Sequence, residues 1–71
     1  MNKNKLESIM KLHGDSGTTL ANHLGMARST FSLKINESGT EFTQSEIAAI
    51  KKRYNLSPEE VTEIFFVEKV S

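Results

Sequence analysis

The sequence predicts an all-α domain of five short helices. Three observations carry this reading. Apolar residues recur at three- and four-residue spacings, two segments open with a capping box, and no segment sustains the alternation of a strand.

Leu6, Ile9, Met10 and His13 lie at i, i+3, i+4 and i+7, which predicts a first amphipathic helix over residues 3–13. Gly14-Asp15-Ser16-Gly17 stops it, and Asp15 or Ser16 is expected to cap the next helix. That second helix, 18–24, turns Leu20, Ala21 and Leu24 inward and is ended by Gly25. Residues 28–36 form the third helix, and residues 37–42 a connecting loop. Thr43-Gln44-Ser45-Glu46 has threonine followed by glutamate three positions on, so a fourth helix starts there and spans 43–53, with Ile47, Ile50 and Tyr54 on one face. The basic run Lys51-Lys52-Arg53 suits its C-terminal dipole. Ser57-Pro58-Glu59-Glu60 is a second capping box with proline at the first helical position. The fifth helix, 58–66, carries Val61, Ile64 and Phe65 on a stripe that ends at Glu68, leaving a short tail, 67–71.

Seventy-one residues make one small domain, 1–71, too small for a dinucleotide-binding fold, a barrel or a two-barrel protease. With no cysteine, disulfides and thiolate zinc sites are excluded. No apolar run approaches the roughly 18 residues of a membrane span, and no signal peptide is recognised, so a cytoplasmic location with no membrane partner is expected. Gly14-Asp15-Ser16-Gly17 copies a protease nucleophile tetrapeptide, but a triad needs a far larger scaffold. His13 and His23 have no companion ligands at a fitting spacing. Neither an enzyme, a metal nor a cofactor is expected.

Charge is balanced overall but not along the chain. Residues 1–36 carry five cations against two carboxylates, a net +3, and residues 37–71 carry four against seven, a net −3. The front half suits a polyanion.

The informative stretch runs from Gly17 to Asn36. Two short helices joined by a tight turn cross steeply, so the first needs a small residue at the crossing and the turn needs positive φ. Ala21 and Gly25 supply these, and Met26 plugs the turn. On a wheel of about 100° per residue, Phe31 and Ile35 mark the buried side of the third helix. Ser29, Ser32, Leu33 and Asn36 fall opposite, Thr30 stands at the edge, and Arg28 and Lys34 flank the buried stripe. Small hydroxyls, an amide and an apolar tip suit a major groove, where serine bonds several base edges, asparagine pairs adenine, and leucine meets a thymine methyl.

These residues, Leu20-Ala21, Leu24-Gly25-Met26 and Arg28-Ser29-Thr30-Phe31-Ser32, with Phe42-Thr43 and Leu56-Ser57-Pro58-Glu59-Glu60-Val61 behind them, resemble the Cro/repressor-type helix-turn-helix family. The resemblance covers roughly residues 5–66 and extends to the small phage regulators and modulators of repression within that group. It implies a lambda-repressor-like fold and operator DNA as partner in a lysis/lysogeny switch. Ser29, Ser32, Leu33 and Asn36 would read bases, with Thr30 beside them. Arg28, Lys34, Thr18, Thr19 and Thr43 would hold phosphates. The alternative is a modulator that binds a cognate phage repressor, with Glu59, Glu60 and Glu63 facing the repressor's cations. Phe65, Phe66, Val67 and Val70 would form a surface for that partner or for a weak homodimer. Three departures from the family pattern stand out. Gly17 occupies a position often held by a phosphate-contacting glutamine, Ala27 one often held by a capping serine, and Lys34 one that is often apolar.

Overall fold

The structure, a computed structural model, describes residues 1–66; Val67 and Val70 of the expected partner surface lie outside the described residues. Within them the chain forms five helices and no strand: α1 (Lys3–Leu12), α2 (Gly17–His23), α3 (Arg28–Ile35), α4 (Gln44–Tyr54) and α5 (Pro58–Phe65). Every boundary falls within one residue of the sequence reading.

Local chemistry explains the starts. Asn2 caps α1 by accepting from the Lys5 N–H, and Ser16, Thr43 and Ser57 cap α2, α4 and α5. The three latter caps are reciprocal: Thr19, Glu46 and Glu60 return a side-chain acceptor to the backbone N–H of the cap residue. Only α3 starts on a residue, Ala27, that makes no side-chain cap.

The ends share one device. After α1, α2, α3 and α4 the chain turns through a left-handed residue, respectively Gly14, Gly25, Glu37 and Asn55. The following N–H then reaches back to the last turn, as in Asp15 to the Met10 carbonyl, Met26 to Ala21, Ser38 to Leu33 and Leu56 to Lys51. Gly25 has φ +72°, a conformation that glycine adopts without the steric penalty of a Cβ.

Leu6, Leu20, Ile50 and Ile64 are fully buried at the centre, one each from α1, α2, α4 and α5. Helix α3 adds Phe31 and Ile35, and the loop after it adds Phe42. Three aromatics tie α3 to α5: Phe31 lies 5.8 Å from Phe42, and Phe42 meets Phe65 edge-on at 6.1 Å. His13, expected on the buried stripe of α1, is exposed and rests its ring against Tyr54 at 5.0 Å. As the residue just past the helix, it has left the stripe.

A polar clamp joins the α1–α2 loop to the end of α4. The Asp15 side chain, 7% exposed, accepts two hydrogen bonds from Arg53, both at 2.8 Å, and one from the Tyr54 hydroxyl at 2.6 Å. Arg53 thus does more than face the helix dipole: it closes this clamp. The Arg53 guanidinium, and next the Tyr54 hydroxyl, hold the Asp15 carboxyl far below its ordinary value of 3.8.

The bare start of α3 and the clamp can each be tested by a single substitution. Ala27→Ser supplies the missing cap of α3 and is expected to stabilise the domain by about 1 kcal/mol, a rise in Tm of about 4–8 °C by calorimetry. The depressed carboxyl of Asp15 favours the folded state fully above its unfolded value near 4, and that contribution fades as pH falls toward the folded value. Asp15→Asn is therefore expected to lower Tm by several degrees at pH 7. The gap between variant and wild type should narrow steadily below pH 4.

Candidate nucleic-acid interface

Leu24 to Ala27 connect α2 to α3, with Leu24 and Met26 packed against the core. Ala21, 1% exposed, sits in the final turns of α2 and leaves room for α3 to approach. Phe31 and Ile35 anchor one side of α3, so the opposite side must face outward.

On that outward side Ser29 is exposed, and Leu33 is 50% exposed. Thr30 and Ser32 are half-buried at the edges. Asn36 is exposed but occupied: its amide donates to the Ser32 carbonyl at 2.9 Å, and its oxygen accepts from the Lys3 ammonium at 2.6 Å. It is the C-terminal cap of α3 rather than a residue of its last turn. Ser29 and Leu33 are thus the side chains of this ridge that project without an internal partner among the described residues.

The expected phosphate contacts divide. Arg28 is exposed and makes no ion pair among the described residues; its guanidinium lies back over Gly17. Thr18 is exposed on α2. Thr19 closes the α2 cap, accepting from the Ser16 N–H at 2.8 Å and donating to Asp15 at 3.0 Å. Thr43 likewise caps α4.

Lys34 departs from the expectation of an amine reaching outward. Its side chain is 12% exposed, and its ammonium bonds Glu46 at 2.7 Å, joining α3 to the start of α4. The long stem packs at a position where an apolar residue would serve, and Glu46 neutralises the charge. Burial pushes the Glu46 carboxyl up, but the Lys34 ammonium and the Thr43 N–H outweigh it and leave it below the ordinary value of 4.5.

The expected partner surface changes in the same way. Glu60 is turned back onto the Ser57 N–H, and Glu63 pairs with Lys5 across α1 and α5. Of the three glutamates, Glu59 is exposed without a hydrogen bond or ion pair among the described residues. Phe65 is half-buried against the core, whereas Phe66 is 51% exposed. Phe66 rims a groove of about 170 Å³ that Phe42, Ile47, Phe65 and Met1 also line.

Sequence reasoning missed the Asp15–Arg53 clamp, the Lys34–Glu46 pair, the placement of Lys3 beside Asn36 and the contact of Arg28 with Gly17. All join residues distant in the chain, which no spacing rule marks. Gly17 alone carried a signal, as a glycine opening a helix. Among the described residues no group of three His, Cys, Asp or Glu is placed to hold a metal ion. No helix among them is long and apolar enough to cross a membrane.

Comparison of the chain with family models, with curated proteins and with solved structures returns no match.

Because Lys34 holds α3 against α4, Lys34→Ala leaves the half-buried Glu46 without its counter-charge. It is expected to cost about 1–3 kcal/mol of stability in urea titrations. Combining Lys34→Met with Glu46→Gln should recover part of that loss, since the pair's volume is kept and no charge is stranded.

Proposed function

We propose that the chain is a helix-turn-helix regulator that lays α3 in the major groove of double-stranded operator DNA. One observation carries the reading: α3 is anchored by Phe31 and Ile35 on one side and presents Ser29 and Leu33, a hydroxyl and an apolar tip, on the other. Such a ridge suits reading base edges more than gripping phosphates. Phosphate positioning falls to Arg28 and Thr18, because Lys34, Thr19 and Thr43 are engaged within the fold. With zero net charge, non-specific affinity is modest and specificity rests on the groove contacts. As a weak dimer the protein would set two copies of α3 in successive major grooves about 34–36 Å apart. The resemblance to phage regulators supports a role in a lysis/lysogeny switch in a bacterial cytoplasm.

A second reading is favoured by the groove beside Phe66. A half-exposed phenylalanine at the rim of a groove that mixes Phe42, Ile47 and Phe65 with Glu37, Glu41 and Gln44 is a usual anchor for a protein partner. In this reading the chain is a modulator that binds a cognate repressor. Phe66 and this groove rather than Glu60 and Glu63 would carry the contact.

Fluorescence anisotropy with a duplex selected by the protein from a random-sequence pool tests the first reading. Tight binding whose logarithm falls linearly with log salt is expected, and affinity equal to that for random DNA would sink it. Leu33→Ala should weaken the selected complex by about 1–3 kcal/mol. It should also erase the preference for a thymine over a uracil at the contacted position, since uracil lacks only the methyl. Phe66→Ser should leave the base preference on DNA unchanged while abolishing any complex with a repressor.

A further inference from the structure

A cleft runs between the start of α1 and the packed pair α2–α3. Lys3, Glu7, Gly17, Arg28, Ser32 and Asn36 form its walls over an apolar floor. Arg28 is bent toward it. A methyl group placed on Gly17 would come within 3.0 Å of Arg28 Nε and 3.3 Å of Cζ, so the guanidinium packs against the glycine more closely than a side chain there would allow without a small shift.

The glycine has no backbone reason to be there. Gly17 is the first residue of α2 and lacks the positive φ of Gly14, Gly25 and Gly39. Alanine would serve the helix better. What the missing side chain provides is a seat for Arg28.

The same cleft holds a second cation. The Lys3 ammonium is fixed at 2.6 Å from Asn36 Oδ1, and Asn36 is itself held by the Ser32 carbonyl. Neither Lys3 nor Arg28 forms an ion pair among the described residues, although Glu7 stands on the same wall, whereas Lys5, Lys34 and Arg53 are each neutralised. Two cations left unpaired around one concavity favour an anion. Arg28 stands about 100° around α3 from Ser29, so its fork points to the flank of the ridge rather than along it.

We propose that this cleft is a subsite for one phosphate of the DNA backbone, with Arg28 seated on Gly17 as its bidentate donor and Lys3 as the second charge. The proposal rests on the DNA-binding reading and specifies how α3 is held in register. Arg28 sets position, and Ser29 and Leu33 set sequence.

The test uses the full chain and the pool-selected duplex. Arg28→Ala is expected to weaken binding about tenfold. It should reduce the magnitude of the log K against log salt slope by about one, with base preference unchanged. Phosphate-ethylation interference should lose one protected phosphate in that variant. Gly17→Ala, which displaces the guanidinium by a few tenths of an ångström, should weaken binding about threefold without lowering the melting temperature, and the double variant should bind no more weakly than Arg28→Ala alone. An unchanged salt slope with altered base preference would make Arg28 a base reader and overturn the subsite. Fully additive losses would overturn the role of Gly17. Absence of specific binding by the wild-type chain would instead remove the DNA-binding reading on which the subsite stands.

Discussion

The structure depends on the packing of α2 against α3. Neither helix is long enough to be stable alone, so each exists only by burying a face against the other and the core. Ala21 permits the close approach, and the left-handed Gly25 lets the Met26 N–H close on the Ala21 carbonyl at 3.0 Å. Phe31 and Ile35 then fill the space beneath α3. Once they are buried, helical geometry leaves no choice about Ser29 and Leu33: they must face solvent. The presentation of the candidate reading ridge is a consequence of where the core is.

Around that pair the fold places its charges in two distinct ways. Some cations are consumed in holding elements together: Arg53 grips Asp15, Lys34 grips Glu46, and Lys5 reaches Glu63. Each ties two segments of the fold together, and each neutralises a cation. Among the described residues Lys3 and Arg28 form no ion pair, on the side of α3 that faces the start of α2. A chain of zero net charge can thus place two cations against one carboxylate, Glu7, around the cleft where α3 begins.

Helix positions were legible because their signals are local. Thr43 with Glu46, and Ser57 with Pro58 and Glu60, announce two starts within four residues, and Gly14 and Gly25 announce two stops. The stripe of Val61, Ile64 and Phe65 identifies the inward face of α5 as directly. The Ser16 cap was half-visible, because its partner Thr19 is not the glutamate or glutamine of the usual box. What was not legible is which charged residue finds which. Asp15 and Arg53 are 38 positions apart, and nothing in either neighbourhood distinguishes a clamp from a solvated pair. For the candidate site, the outward order of Ser29 and Leu33 could be read from periodicity. The inward turn of Lys34, the engagement of Asn36 by Lys3 and the seat of Arg28 required the fold, since they depend on elements that approach only after α1 and α4 have packed.

The central claim, that α3 meets DNA along Ser29 and Leu33, is tested most directly by two-dimensional NMR of the isotopically labelled chain titrated with its pool-selected duplex. The account predicts that the Ser29 amide and the Leu33 methyl resonances shift most, with a nuclear Overhauser contact between a Leu33 methyl and a thymine methyl, while Phe66 and α5 stay unperturbed apart from any dimer contact. Shifts concentrated around Phe66, Phe42 and Ile47 with α3 unmoved would contradict it.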